Sequence, residues 1–346
     1  MAEDICFFAK DSIIIKPAKK SPALLRMVVV AFTLIFGIYI CSICLKQTSL
    51  ENTSKYLNIE VMEKPCHNYD MDQSQIPYVH YPKPKTFSRA ECSCNPVRRF
   101  AILSMQRSGS GWFETLLNSH MNVSSNGEIF SVKYRRENAS SILRTLDTVY
   151  NLDFFTSASK NHCSAAVGFK WMLNQGLIEH YKEVVEYFNR KGVSVIFLFR
   201  KNLLRRMVSV LSNSHDRYAK LLNGTHKSHV HSHEEAGTLA KYKPEINTTL
   251  LITDLKRMEV SATEALDHFN STRHMILYYE DIVRNQAKLV DVLEFLRLPK
   301  MDLSSRQVKI HNGALWKHIK NWDDVNKTLS GTAYEKFLRA SCCICL

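Results

Sequence analysis

Residues 98–117, RRFAILSMQRSGSGWFETLL, hold the stretch on which the fold turns. Phe100, Ala101, Ile102 and Leu103 form an unbroken apolar run of the kind that fills a buried strand. Ser104 to Gly111 is a turn rich in Ser and Gly, after which Trp112, Phe113, Leu116 and Leu117 recur at helical spacing. Strand, small-residue loop and helix, in that order, present consecutive backbone N–H groups at a helix N-terminus, a cradle for phosphate. Arg107 inside it adds a charge able to follow a transferring anionic group. No Gly-Lys-Ser/Thr follows, so the triphosphatase loop pattern is missing and an ATPase or kinase is disfavoured.

Working outward, apolar runs recur at residues 165–169, 193–199 and 274–279 with helical patterns between them. That alternation predicts a buried parallel sheet covered on both faces, a three-layer α/β domain with a P-loop-like phosphate-binding loop. The run at 193–199 ends in Arg200 and Lys201, and Ser209 follows on the next helix, a clamp for a second phosphate. The bland alternative is a solvated basic helix start, with Arg205 and Arg206 continuing it. Two further segments carry chemistry: Asn126-Gly127-Glu128-Ile129-Phe130, and Gly168-Phe169-Lys170-Trp171-Met172 with a lysine at a strand end.

The cradle with Arg107, the strand-end Arg200 with Ser209, and the strand ending Tyr278-Tyr279-Glu280-Asp281 resemble, in that order, the sulfotransferase superfamily across roughly residues 98–338. The resemblance implies 3′-phosphoadenosine 5′-phosphosulfate (PAPS) as sulfuryl donor, and no metal. It implies that Arg107, Ser108, Gly109, Ser110, Gly111 and Trp112 contact the donor around its phosphosulfate, and that Ser209 with Arg200 or Lys201 holds the 3′-phosphate. Arg200 stands one residue farther from Ser209 than is usual there, whereas Lys201 fits, so both stay open. Cytosolic members place Lys where this chain has Arg107, a change that is not chemically neutral. Gly127-Glu128-Ile129-Phe130 resembles an element of the bacterial-type carbohydrate sulfotransferases of the Nod-factor and trehalose kind, which implies Glu128 as general base. Lys170 and Arg107 join it as catalytic candidates. A late segment with Lys309, His311, Asn312 and Gly313 stands where the superfamily closes over its nucleotide, although its letters match poorly.

The implied reaction is in-line transfer of a sulfuryl group to a hydroxyl of a carbohydrate acceptor. A tyrosylprotein or other non-sugar sulfotransferase is one alternative; a non-catalytic binding protein on the same scaffold, for glycan or nucleic acid, is another. Nucleic acid is not expected as a partner of the enzyme.

The chain of 346 residues carries a formal charge of +13, which suits an anionic partner. Residues 27–45 contain no charge and read as a single transmembrane helix, with Lys10, Lys16, Lys19, Lys20 and Arg26 placing the N-terminus in the cytosol. A cleaved signal peptide competes, but Ile43, Cys44, Leu45 and Lys46 make a poor cleavage site. The expected organisation is a cytosolic tail (1–26), an anchor in the membrane (27–45), a Pro-interrupted lumenal stem (46–97) and a catalytic domain (98–346). Such a chain is a type II glycoprotein of the Golgi or another secretory membrane. Sequons at Asn52, Asn122, Asn138, Asn223, Asn247, Asn270 and Asn326 agree with a lumenal domain.

Beyond the anchor, Cys66, Cys92, Cys94, Cys163, Cys342, Cys343 and Cys345 are expected to pair in part in an oxidising lumen. Cys92 and Cys94 have the spacing of half a zinc site, but no second pair follows. His226, His229, His231 and His233 fall in a polar stretch, 221–235, read as an exposed loop contacting substrate rather than metal. Residues 343–346 spell a prenylation box, which conflicts with a lumenal C-terminus and reads as accidental.

Overall fold

A computed structural model of the chain describes residues 22–53, 72–156 and 163–339, in two units, Met1–Pro65 and Cys66–Leu346. The first holds helix α1 (Pro22–Thr53). It corrects the anchor expected at residues 27–45, because among the described residues no helix is long and apolar enough to cross a membrane. The membrane partner, the type II topology and the Golgi or secretory-membrane location drawn from that anchor lose their basis with it. The basic tail before residue 22, Cys66 and the terminal cysteines with the prenylation box lie outside the described residues.

In the second unit β1 (Arg98–Ser104), β2 (Val123–Ser125), β3 (Ala166–Met172), β4 (Val193–Phe199) and β5 (His274–Tyr278) form one parallel sheet in the order β2-β3-β1-β4-β5. Strands β3 and β4 are buried at every position, which is what an apolar run without polar alternation requires. The connecting helices are α2 (Ser110–Ser119), α3 (Ala139–Tyr150), α4 (Tyr181–Lys191), α5 (Leu203–Ala219), α6 (His233–Ala240), α7 (Thr248–His268), α8 (Tyr279–Arg284), α9 (Ala287–Phe295), α10 (Trp322–Leu329) and α11 (Lys336–Arg339).

The two-residue period of the strands divides the core into two faces. Ala101, Leu103, Val195 and Phe197 pack with Leu146 of α3 and Val184 and Phe188 of α4. Phe100, Ile102, Ile196 and Leu198 pack with Phe113 and Leu117 of α2 and Val292 of α9. This is the three-layer arrangement the sequence predicts, and each fully buried side chain of this size contributes about 1.5–3 kcal/mol. Asn138, Asn202 and Asn247 cap α3, α5 and α7 by accepting hydrogen bonds from backbone N–H groups of the first turn.

Residues 72–97 are part of this unit and are tied to its sheet domain. His80 bridges to Val97, and Asp153 accepts hydrogen bonds from the Lys85 and Thr86 amides. A Cys92–Cys163 disulfide joins the approach to β1 with the approach to β3, and Cys94 is also disulfide-bonded. The polar stretch 221–235 is less open than expected. Ser232 caps α6, which begins at His233, and Val230 is buried against Ala236 and Leu239.

All five strands point the same way, so their carboxyl ends share one edge. The chain crosses from β1 to β3 on one side and to β4 on the other, and a crevice at such a switch point is where an open α/β sheet binds its ligand.

Candidate active site

β1 ends at Ser104, and Met105 to Gly109 turn over the sheet edge into α2. Arg107 (φ 65°) and Gly109 (φ 86°) both adopt the left-handed conformation. A Cβ on Gly109 would lie 2.3 Å from Cδ2 of Tyr279, and one on Gly111 2.3 Å from Cε1 of His229, so two rings close over backbone that only glycine leaves open. The Ser108 hydroxyl is buried and has no hydrogen-bond partner among the described residues. A small-residue turn, a helix N-terminus and an unengaged buried hydroxyl fit an anionic group.

Arg107 reaches from this turn to α5. Its Nε donates to Ser209 Oγ at 2.9 Å and its Nη1 to the Ser228 carbonyl at 2.6 Å. Burial, then the neighbouring Arg200 charge, push its pKa down to about 10, which leaves it cationic near neutrality. Arg200, the first residue past β4, donates from Nη1 to the Arg107 carbonyl at 3.4 Å. Its guanidinium lies 4.9 Å from the Tyr279 ring centroid, and its Nε is 3.4 Å from Glu280 Oε1. Lys201 turns the other way, with Nζ 2.6 Å from Asp281 Oδ1.

A cleft of about 900 Å³ runs along this edge, lined by Arg107, Gly109, Ser110, Gly111, Trp112, Glu128, Lys170, Arg200 and Ser209. Ser108 sits beneath the lining, and Lys201 does not line the cleft. Arg205, Arg217, Arg306, Lys309 and His311 add to the wall beside Arg200. Arg206 braces the turn from behind, donating to the Gln106 carbonyl at 2.9 Å.

The other end of the cleft is built around Lys170, buried within β3. Its Nζ lies 3.4 Å from Glu114 Oε2 and 3.6 Å from Glu128 Oε2. Glu128 follows β2 and accepts a 2.5 Å hydrogen bond from Gln175 Nε2, with about a third of its side chain exposed (33%). Glu114, buried on α2, accepts from Ser125 Oγ at 2.6 Å and from the Gly127 amide at 2.8 Å. A buried ammonium is stable only when paired. Here two carboxylates share it, and one of them also fixes the turn that carries the other.

No known protein-family profile matches the chain. It is similar to Nodulation protein H of Rhizobium tropici, 23% identical over 256 residues that cover 69% of this chain and 92% of that protein. Among solved structures it is similar to a sulfotransferase from Alicyclobacillus acidocaldarius, at 12% identity and a TM-score of 0.35 over 62% of this chain and 86% of that one. A mouse sulfotransferase complexed with PAP is 13% identical, with a TM-score of 0.33 over 59% of this chain and 60% of that one. These likenesses are distant. Identities and scores this low leave the chemistry to be read from the side chains.

Glu114 escaped the sequence reading, although it left a signal: an acidic residue between Phe113 and Leu116 on the apolar face of a helix asks for a buried partner. Gln175 and Arg205 gave no comparable signal. His229 stands over the cradle, with its imidazole pKa held well below the usual value by burial first and then by Lys170 and Arg107. His233, which opens α6, also lines the cleft, whereas His226 Nδ1 lies 2.7 Å from the buried Asp216 carboxylate. Among the described residues no group of three or more His, Cys, Asp or Glu is placed to hold a metal ion.

Proposed function

We propose that the chain is a PAPS-dependent sulfotransferase acting on a hydroxyl of a carbohydrate acceptor. The observation that carries this reading is a single cleft with a glycine-bounded anion cradle, Arg107 and Arg200 at one end and the Glu128–Lys170 pair at the other. The resemblance around Gly127-Glu128-Ile129-Phe130 and the likeness to Nodulation protein H support the sugar-type acceptor.

When bound, PAPS supplies a sulfuryl group that passes in line to the acceptor oxygen, the electron pair of the broken S–O bond leaving on the 5′-phosphate. The amides at the start of α2, with the Ser108 hydroxyl, fit the phosphosulfate, and Arg200 and Ser209 fit the 3′-phosphate. Trp112 offers the nucleoside an aromatic wall held edge-on to Tyr279, with ring centroids 5.5 Å apart. Glu128 takes the proton of the acceptor hydroxyl on a carboxylate oxygen that Gln175 orients. Lys170 supplies positive charge beside the transferring group, and Glu114 holds Lys170 in place.

The test measures binding of adenosine 3′,5′-bisphosphate and transfer of labelled sulfate from PAPS to a mixed glycan panel, for the wild type and Glu128→Gln. Binding by both proteins with transfer by the wild type alone supports the donor site and the base. A folded wild type that does not bind the nucleotide refutes the reading.

A further inference from the structure

Lys133–Arg136 forms a short 3-10 turn immediately after the Glu128 turn, and it is fastened on both sides of that carboxylate. Arg135 Nη1 donates to the Ile129 carbonyl at 3.1 Å. Arg136 packs against Gly176, where a Cβ would come within 3.3 Å of its own Cβ, next to the Gln175 that orients Glu128. The turn is therefore fixed beside Glu128.

Its side chains are not used by the fold in the ordinary way. Tyr134 is 66% exposed although it is a large aromatic, and it is held rather than loose. The Arg135 guanidinium lies 5.5 Å from the Tyr134 ring centroid and 5.0 Å from that of Phe154, a rigid backing that presents an aromatic ring to solvent. Among the described residues no carboxylate lies within 4.0 Å of the charged groups of Lys133, Arg135 or Arg136, whereas Lys170 has two and Arg200, Lys201 and Lys227 have one each. The Arg136 Nε is buried and has no hydrogen-bond partner among the described residues, so its charge is not committed to another group there. These cations do not line the cleft with Arg107 and Arg200, so the nucleotide has no claim on them.

Resting on the sulfotransferase reading, we propose that the Lys133–Arg136 turn is a subsite for an acidic sugar of the acceptor, one unit away from the hydroxyl that Glu128 deprotonates. An aromatic ring stacks on the apolar face of a sugar while neighbouring cations engage its carboxylate. The chemistry also calls for them. The donor is polyanionic and the base is a carboxylate, so an acidic acceptor meets repulsion that this turn offsets.

The experiment uses the full chain, a uronate-containing oligosaccharide and its carboxyl-reduced neutral counterpart, with direct binding measured beside adenosine 3′,5′-bisphosphate binding. The acidic sugar is expected to bind about tenfold tighter than the neutral one, in a salt-sensitive way. Lys133→Gln combined with Arg136→Gln abolishes the difference, Lys133→Gln alone reduces it without disturbing a buried group, and Tyr134→Ala weakens both sugars. Nucleotide affinity stays unchanged in all three. Equal affinity of the wild type for both sugars overturns the subsite. Discrimination between the sugars without nucleotide binding would keep the subsite and overturn the enzyme reading instead.

Discussion

Glu114 Oε2 and Lys170 Nζ approach to 3.4 Å in the interior, joining α2 to β3 beneath the Glu128 turn. The carboxylate neutralises the lysine from below, so Glu128 is not its only counter-charge. Glu114→Gln keeps an acceptor for Ser125 and Gly127 but leaves Lys170 dependent on Glu128. Removing one partner of a buried pair costs about 3–5 kcal/mol, and the lower end is expected because a second carboxylate remains. Urea unfolding measures the loss, and transfer activity should fall more steeply than nucleotide affinity, since the disturbed end of the cleft carries the proposed base.

Gly111→Ala tests the cradle. The added methyl would sit 2.3 Å from the His229 ring, so the imidazole or the turn must move. Weakening of adenosine 3′,5′-bisphosphate binding by about tenfold or more is expected, with a small change in stability. His229→Ala in the same background should restore part of the affinity, because it removes the atom the methyl meets.

Arg200 and Lys201 separate in the same assay. Arg200→Ala removes a cation from the cleft and should weaken nucleotide binding about tenfold to a hundredfold, with a shallower salt dependence. Lys201→Ala breaks an exposed pair with Asp281 outside the cleft, and a change of no more than about twofold is expected. Calorimetric titration at two salt concentrations distinguishes the pair.

Two histidines give a pH prediction of definite sign. Burial first, and then Arg99, push His80 down to about 4; burial first, and then His318, push His311 down to about 3. In the unfolded chain each ring has its ordinary pKa of about 6.5, so the unfolded state takes up protons that the folded state refuses. Their contribution is present in full above about pH 6.5 and is lost as the pH falls through the folded values. The melting temperature should therefore drop between pH 6.5 and 4, and His80→Gln should flatten that slope in thermal scans at stepped pH.

Much of the fold was legible because its central strands lack polar alternation. Val193–Phe199 reads as a strand and is one, and the Ser/Gly turn after Phe100 to Leu103 opens α2 as expected. Elsewhere local pattern and three-dimensional placement part company. The run at 274–279 stops one residue short, at Tyr278, because Glu280 and Asp281 suit the first turn of a helix that starts at Tyr279. Spacing to Ser209 suited Lys201 better and left Arg200 open, yet neighbouring residues leaving a strand point to opposite sides, and only Arg200 faces the cleft. Glu114 and Gln175 acquire meaning from partners far along the chain, which no window of sequence displays. The apolar run at 27–45 misled in a different way: it forms part of a helix, but composition alone overstated what that helix can span among the described residues.

The Cys92–Cys163 bond clasps the segments entering β1 and β3, while the cleft opens at the far end of those seven-residue strands, each about 20 Å long. The second unit thus has a fastened rim and a working rim at opposite ends of its sheet. Loops on the working rim can therefore be replaced to suit a new ligand without touching the fastening.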